Sequence, residues 1–159
     1  MNTSFQQSKN RTDEWYTPPE IIRALGEFDL DPCAPCHDFY TAKKCFDRFD
    51  DGLKQSWEGR VWLNPPYNRK DIVPFIRKMA EHGNGIALIF NRMDIALWHE
   101  VIFPTADAML VMRGRVKFIS QDGRQGAAGG CGSALVAWGE GDAKTLRVST
   151  IEGKFIRLR

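Results

Sequence analysis

Apolar runs alternate with helical repeats through the middle of the chain. Residues 60–63, 86–90 and 108–112 are runs of β-branched, aliphatic and aromatic side chains, which are typical of strands buried on both faces. Between these runs, apolar residues recur at helical spacing over residues 71–79 and again over residues 94–102. The alternation of strands and helices predicts an α/β domain with a parallel sheet.

Capping and turn signals predict where the elements begin and end. Thr17 offers a capping hydroxyl before two prolines, and the apolar repeat that follows predicts a short helix as far as Gly26. Asp71 is in the same way predicted to cap the next helix. Residues 28–32 predict a strand that proline ends, and residues 34–55 predict a loop containing one short strand.

The C-terminal third predicts strands without intervening helices. We expect residues 116–119 to continue the strand at 108–112, and residues 133–138 to form a strand antiparallel to its neighbour. Residues 145–151 and 154–158, joined by Glu-Gly, predict a terminal hairpin.

These elements together predict one Rossmann-like domain over residues 13–159. Its sheet is expected to be doubly wound and mostly parallel, with one antiparallel strand and a small C-terminal hairpin. Residues 1–12 are polar and predict a flexible N-terminal arm.

The charge of the chain gives little indication of its partners. There are 22 Lys and Arg residues against 20 Asp and Glu residues, a formal net charge of +2, so binding to nucleic acid requires local clustering. Arg113, Arg115 and Lys117, followed by Arg124, form the basic stretch suited to phosphate contacts. The alternative is that these side chains are only the solvated end of a strand.

Composition also bears on compartment and metal binding. We expect a cytoplasmic protein, because no stretch predicts a signal peptide or a membrane span. Thiols stay reduced in that compartment, so Cys33-x-x-Cys36 with His37 raises the alternative of a zinc site. A structural zinc site usually has two such pairs, and we therefore predict no metal.

The segment Asn64-Pro65-Pro66-Tyr67 follows a buried strand directly and carries the clearest candidate chemistry. It is expected at the carboxyl edge of the sheet, where open α/β sheets bind ligands. The Asn64 side-chain oxygen and the Pro65 carbonyl can accept hydrogen bonds from an amine conjugated to an aromatic ring, and Tyr67 can stack on that ring. The alternative is a strand-ending proline turn with a packed tyrosine.

Several further motifs accompany this tetrapeptide along the chain. They are Trp15-Tyr16-Thr17-Pro18, Leu30-Asp31-Pro32-Cys33-Ala34, Asp50-Asp51-Gly52-Leu53, Asn91-Arg92-Met93-Asp94, Gly114-Arg115-Val116-Lys117-Phe118 and the stretch 132–139. Together with the tetrapeptide, these motifs resemble the phage-type DNA N-6-adenine methyltransferase (Dam-like) family of class I S-adenosylmethionine-dependent enzymes. The likeness covers residues 13–139.

The resemblance implies methylation of adenine in double-stranded DNA, with the target base flipped out of the duplex. It implies that Asp31 and Pro32 lie near the methionine end of S-adenosylmethionine, that Thr17 and Pro18 help to close over this cofactor, and that Asp51 accepts a bond from its adenine amine.

Three of these cofactor residues have structural alternatives, and the family pattern is incomplete. Thr17 can be a helix cap, and Asp31 and Asp51 can be turn residues. The Gly-rich loop usual after the first strand is replaced here by Cys33-Ala34-Pro35-Cys36.

Arg92 is also expected to contact DNA, at a phosphate or at the flipped strand, and the alternative is that its side chain is only solvated. Site choice is expected from the loops after Tyr67, around 92–98 and over 113–130, or from a second subunit. Two other functions stay open: methylation of another conjugated amine, such as protein glutamine, and an inactive nucleic-acid-binding module of the same fold.

Overall fold

The computed structural model describes residues 15–120, 125–127 and 131–159. The predicted arm at 1–12 and the predicted DNA contact Arg124 lie outside the described residues. In the described part, four α-helices and nine strands follow one another in a mixed α/β arrangement.

Strands and helices alternate from the third strand to the fifth, whereas the first three strands follow one another without a helix between them. The elements are α1 (Pro19–Leu25), β1 (Leu30–Asp31), β2 (Lys44–Cys45), β3 (Val61–Leu63), α2 (Arg69–His82), β4 (Gly85–Phe90), a π-helical segment (Trp98–Ile102) continued by α3 (Phe103–Thr105), β5 (Ala108–Met112), β6 (Lys117–Ile119), β7 (Gln125–Ala127), β8 (Ser133–Trp138), α4 (Glu140–Val148) and β9 (Gly153–Arg157).

Seven strands form one sheet in the order β2-β1-β3-β4-β8-β5-β9. β2, β1, β3 and β4 are parallel to one another, whereas β8 is antiparallel to both β4 and β5. β5 therefore runs in the same direction as β4. The predicted antiparallel strand at 133–138 is confirmed, with register from Gly85↔Trp138 to Phe90↔Ser133.

Apolar residues cover both faces of this sheet, because successive side chains of a strand point to opposite sides. Leu63 packs with Ile76 and Met79 of α2 on one face. Trp62 packs on the other face with Ile21 of α1 and Leu146 of α4. Each face is therefore covered by helices.

The predicted C-terminal hairpin is wrong. Residues 140–148 form α4 instead, and β9 pairs antiparallel with β5 from Ala108↔Arg157 to Met112↔Gly153. Ala143 and Leu146, at helical spacing, are both buried against the sheet. That burial outweighs the strand propensity of Thr145 and Val148, since packing usually overrides local preference.

Three other predicted elements differ from the structure. β6 does not continue β5 but pairs with β7 in a separate two-stranded sheet. The helix predicted at 94–102 covers residues 96–105 and includes the π-helical turn. The cap of α2 is Asn68, whose side chain accepts from the backbone N–H of Asp71.

Thr17 does not cap α1. Pro18 is the N-cap residue, and no side chain bonds to the first turn of this helix. The Thr17 hydroxyl is turned instead toward the carboxyl edge of the sheet.

Candidate active site

A cavity of about 560 Å³ lies where β1 and β3 end at the carboxyl edge of the sheet. Both strands are parallel, so the residues that follow them emerge side by side. The cavity brings together the N-terminal segment, the loops after β1, β2 and β3, and the first part of α2. The lining residues are Trp15, Tyr16, Thr17, Asp31, Pro32, Cys33, Ala34, Pro35, Phe39, Thr41, Asp47, Arg48, Asp51, Gly52, Leu53, Asn64, Pro65, Pro66, Tyr67, Asp71 and Phe75.

The side-chain amide of Asn64 is held on both sides. Its Nδ2 donates to the carbonyl oxygen of Trp15 at 2.8 Å and to Oγ1 of Thr17 at 3.3 Å. Its Oδ1 accepts from the hydroxyl of Tyr67 at 2.8 Å. A carbonyl oxygen has two lone pairs, so Oδ1 keeps the capacity to accept a second hydrogen bond.

Tyr67 is fixed by its hydroxyl and by one face of its ring. The hydroxyl lies 2.9 Å from the carbonyl oxygen of Leu88 as well as close to Asn64, and the ring stacks on Phe90 with centroids 4.1 Å apart. Burial raises the pKa of the Tyr67 phenol well above its usual value, which keeps it a neutral donor. The ring also packs against Phe118 in a T-shaped arrangement, with centroids 6.3 Å apart.

Asp31 ends β1 and is 2% exposed. Its carboxylate accepts from the backbone N–H of Cys33 at 2.9 Å and from the hydroxyl of Thr41. Burial raises the pKa of Asp31 to about 6, and the two hydrogen bonds limit that rise. The carboxylate is therefore largely ionised at neutral pH and faces the cavity.

The loop after β2 closes the cavity from the side of Asp31. Gly52 lies so close to Pro32 that a Cβ at this position would be 2.2 Å from the Pro32 carbonyl oxygen. The indole N–H of Trp57 donates to the Gly52 carbonyl at 2.8 Å and anchors the loop. Asp51 is thereby placed in the cavity wall, with a left-handed backbone (φ 54°).

The comparisons with known proteins show which family this chain belongs to. Residues 4–153 match the profile of the family described as "DNA N-6-adenine-methyltransferase (Dam)". The chain belongs to this family. It is also 35% identical over 102 residues to the DNA N-6-adenine-methyltransferase of Escherichia phage T1. That alignment covers 54% of this chain and 39% of the phage protein, so the chain matches well under half of its relative. No solved structure matches the chain significantly.

The structure gathers most of the predicted site of this Dam family member into one cavity. All four residues of the tetrapeptide line it, together with Thr17, Asp31, Pro32 and Asp51. Pro18, which was also expected at the cofactor, does not line the cavity and is the N-cap residue of α1. The wall also contains residues that the sequence did not single out: Phe39, Thr41, Asp47, Arg48 and Phe75.

These additional residues carry no local signal that marks them. Asp47 and Thr41 stand in a stretch without periodicity, and Phe75 has the spacing of any core-facing helical residue. Asp71 was expected only as a helix cap, yet it lines the cavity while its carboxylate accepts from Nδ2 of Asn68 at 2.7 Å. Proximity to the tetrapeptide depends on the strand order, which no single segment specifies.

The cationic side chains predicted to contact DNA lie outside the cavity. Arg92, Arg113, Arg115 and Lys117 are all exposed. Lys117 belongs to β6, and the Arg92 guanidinium contacts Cys131, which raises its pKa further.

The cysteines do not form a metal site in the described part of the chain. Cys36 is exposed, Cys45 is buried, and all four are free thiols. The group there with metal-ligand geometry is His37, Asp47 and Asp50, which contains no cysteine. His37 Nε2 lies 2.7 Å from Asp50 Oδ2, and this pairing raises the pKa of the imidazole. No described helix is both long and apolar enough to cross a bilayer.

Proposed function

We propose that this protein transfers a methyl group from S-adenosylmethionine to the exocyclic amine of adenine in DNA. The observation that carries the proposal is the oriented amide of Asn64, which lines the same cavity as the buried carboxylate of Asp31. Membership of the Dam family supports the choice of DNA adenine as substrate.

The cavity suits S-adenosylmethionine in size and charge. Its volume of about 560 Å³ falls in the range of sites that bind small molecules and cofactors. Asp31, Asp47 and Asp51 supply carboxylates for a ligand that carries a cationic sulfonium and an ammonium group. Phe39 and the prolines supply apolar surface for its adenosine part.

In this site S-adenosylmethionine supplies a methyl group already activated by the positive sulfur. We assign Asp31 to the methionine end of the ligand and Asp51 to its adenine amine. The close approach of Gly52 to Pro32 replaces the Gly-rich loop, because it brings the backbones of two loops together along the ligand.

Asn64 and Pro65 act on the target amine. Asn64 Oδ1, which can accept a second hydrogen bond, and the carbonyl oxygen of Pro65 accept from the two hydrogens of the target amine. These bonds draw the nitrogen lone pair out of conjugation with the base and favour a pyramidal amine. Pro65 and Pro66 hold both acceptors in place before the substrate arrives. After methyl transfer, the extra proton on the amine passes to water.

The target adenine has to leave the duplex to reach this edge of the sheet. The face of Tyr67 opposite Phe90 receives the flipped base, and base stacking on aromatic side chains is worth about 1–3 kcal/mol. Arg92, Arg113, Arg115 and Lys117 hold the phosphates of the double-stranded DNA outside the cavity.

The strand directions support a Rossmann-like class I architecture. Ligands of open α/β sheets bind at the carboxyl ends of their parallel strands, and the cavity lies at the ends of β1 and β3.

The test is methylation of duplex DNA with labelled S-adenosylmethionine, followed by nucleoside mass spectrometry for methylated adenine. Asn64→Ala is expected to abolish transfer while cofactor affinity and melting temperature change little. Asn84→Ala is the matched control, because Asn84 is exposed at the opposite end of β4 and should leave activity intact. Label only in protein substrates, or full turnover by Asn64→Ala, would contradict the proposal.

A further inference from the structure

The N-terminal segment Trp15–Thr17, here called the strap, contacts both the cavity and the catalytic amide. Trp15, Tyr16 and Thr17 all line the cavity, and Thr17 is 1% exposed. The strap supplies both acceptors for the Asn64 Nδ2 hydrogens, from positions 49 and 47 residues earlier in the chain.

The chemistry of these partners decides which way the Asn64 amide faces. A side-chain amide can sit in either of two orientations that exchange its oxygen and nitrogen. The hydroxyls of Thr17 and Tyr67 can each donate or accept, so they tolerate both orientations. The backbone carbonyl of Trp15 can only accept, and it would be left against another oxygen if the amide turned over.

Turning the amide over would disable the proposed chemistry. The Nδ2 hydrogens would then replace Oδ1 beside Tyr67, and a donor would face the donors of the target amine. The Trp15 carbonyl therefore selects the correct orientation, and the Thr17 hydroxyl holds the second Nδ2 hydrogen in place.

The strap is itself anchored from two directions. The backbone of Tyr16 exchanges two hydrogen bonds with Ile119 at the end of β6, at 2.9 and 3.0 Å. The hydroxyl of Tyr40 donates to the carbonyl oxygen of Thr17. The Trp15 ring also packs edge-on against Phe118, with centroids 6.4 Å apart.

We propose that the strap orients Asn64 for catalysis, with Thr17 and Tyr40 as positioning residues rather than as ligands of the cofactor. The inference rests on the proposed function, because the orientation matters only if Oδ1 grips the target amine. It gives Thr17 a different role from the cofactor contact expected from the sequence.

Kinetics of Thr17→Val separate the two roles. Valine keeps the shape of threonine and removes the acceptor, so we expect kcat to fall by about tenfold to a hundredfold, as for other losses of catalytic alignment. KM for S-adenosylmethionine should stay within about twofold of the wild-type value, because a positioning residue affects the geometry of the reacting groups and not the binding of the cofactor. Thr17→Ser should restore kcat, and Thr145→Val on α4 is the matched control with no expected effect. Unchanged kcat, or a raised KM with normal kcat, overturns the proposal.

Tyr40→Phe supplies a second variant in case Thr17→Val does not fold. It removes the hydroxyl that holds the Thr17 carbonyl and is expected to lower kcat several-fold, with cofactor KM unchanged. A normal kcat in Tyr40→Phe would remove Tyr40 from the proposal.

A readout independent of turnover separates failure of this inference from failure of the proposed function. In nuclear magnetic resonance spectra, the Asn64 side-chain amide hydrogens should exchange with solvent about tenfold faster in Thr17→Val than in the wild type. Equal exchange rates overturn the strap proposal. The Asn64 amide of the wild type could also exchange more slowly than that of Thr17→Val while the wild type methylates no adenine. That result would refute the proposed function and leave the strap contact standing.

Discussion

Gly52 lies against the carbonyl oxygen of Pro32 so closely that a Cβ on Gly52 would be 2.2 Å from that oxygen. This contact joins the loop after β2 to the loop after β1, and the two loops form one wall of the cavity. The contact requires glycine because any side chain would push the two backbones apart.

Gly52→Ala is therefore expected to lower the free energy of unfolding by about 1–3 kcal/mol, as overpacking does elsewhere, and to weaken cofactor binding. Denaturant unfolding and calorimetry with S-adenosylmethionine measure both effects. Gly141→Ala is the control and should instead raise the free energy of unfolding. Gly141 lies in α4 with open space around it, and alanine favours a helix over glycine by about 1 kcal/mol. A Gly52→Ala protein as stable as the wild type would disprove the steric argument.

Tyr67→Phe tests the hydroxyl of Tyr67 apart from its ring. The ring keeps its stacking on Phe90, but Asn64 Oδ1 and the Leu88 carbonyl lose their shared donor. We expect stability to fall by about 1 kcal/mol and kcat by about tenfold, with little change in DNA affinity. Comparison with Tyr67→Ala, which also removes the stacking surface, should show a further loss of DNA affinity with a flipped-base analogue. Equal kcat in Tyr67→Phe and wild type would exclude a role for the hydroxyl.

The raised pKa of Asp31 predicts a pH dependence of folding. Burial favours the protonated form in the folded state, so that state binds more protons than the unfolded chain between pH 3.8 and about 6. The contribution of Asp31 to the free energy of unfolding is fully present below pH 3.8. It is lost as the pH rises through about 6. The difference between the two pKa values corresponds to about 3 kcal/mol.

Asp31→Asn should remove this dependence and be more stable than the wild type at pH 7. The same variant should bind S-adenosylmethionine more weakly, because the carboxylate that faces the cavity is gone. In the wild type, cofactor affinity should fall as the pH drops below 6 and Asp31 takes up a proton. Chemical denaturation and calorimetry over pH 4–8 measure both quantities. A wild type that gains stability with pH across this window, relative to Asp31→Asn, would contradict the assignment.

Arg115→Ala and Lys117→Ala test the proposed phosphate contacts around β6. Each substitution should weaken DNA binding uniformly across sequences and reduce the slope of log affinity against log salt concentration by about 1. Fluorescence anisotropy at several salt concentrations gives this slope. Lys144→Ala on α4 serves as the control, since it removes one exposed cation on another element. If all three variants lose DNA affinity and salt dependence equally, the effect comes from net charge alone and the proposed phosphate contacts are contradicted.

The local features of this protein could be predicted from its sequence. The runs at β3, β4, β5 and β8 are buried strands, and the tetrapeptide at 64–67 does follow β3 at the carboxyl edge. These predictions rest on periodicity and on turn residues such as proline, which act over a few neighbouring positions.

Contacts between distant segments could not be predicted in this way. Leu146 becomes part of a helix because it is buried against the sheet, and Thr17 leaves its expected capping role for a bond to Asn64, 47 residues away. Each outcome depends on which strands become neighbours.

The α/β class, the buried strands and the chemistry of the residues that follow β3 could all be predicted from the order of the amino acids alone. The hydrogen bond from Asn64 to the Trp15 carbonyl and the contact of Gly52 with Pro32 arise only when the chain is folded. The physical reason is that backbone propensity and side-chain chemistry belong to short segments, whereas the register of the sheet and the packing of loops are settled by competition among contacts over the whole chain.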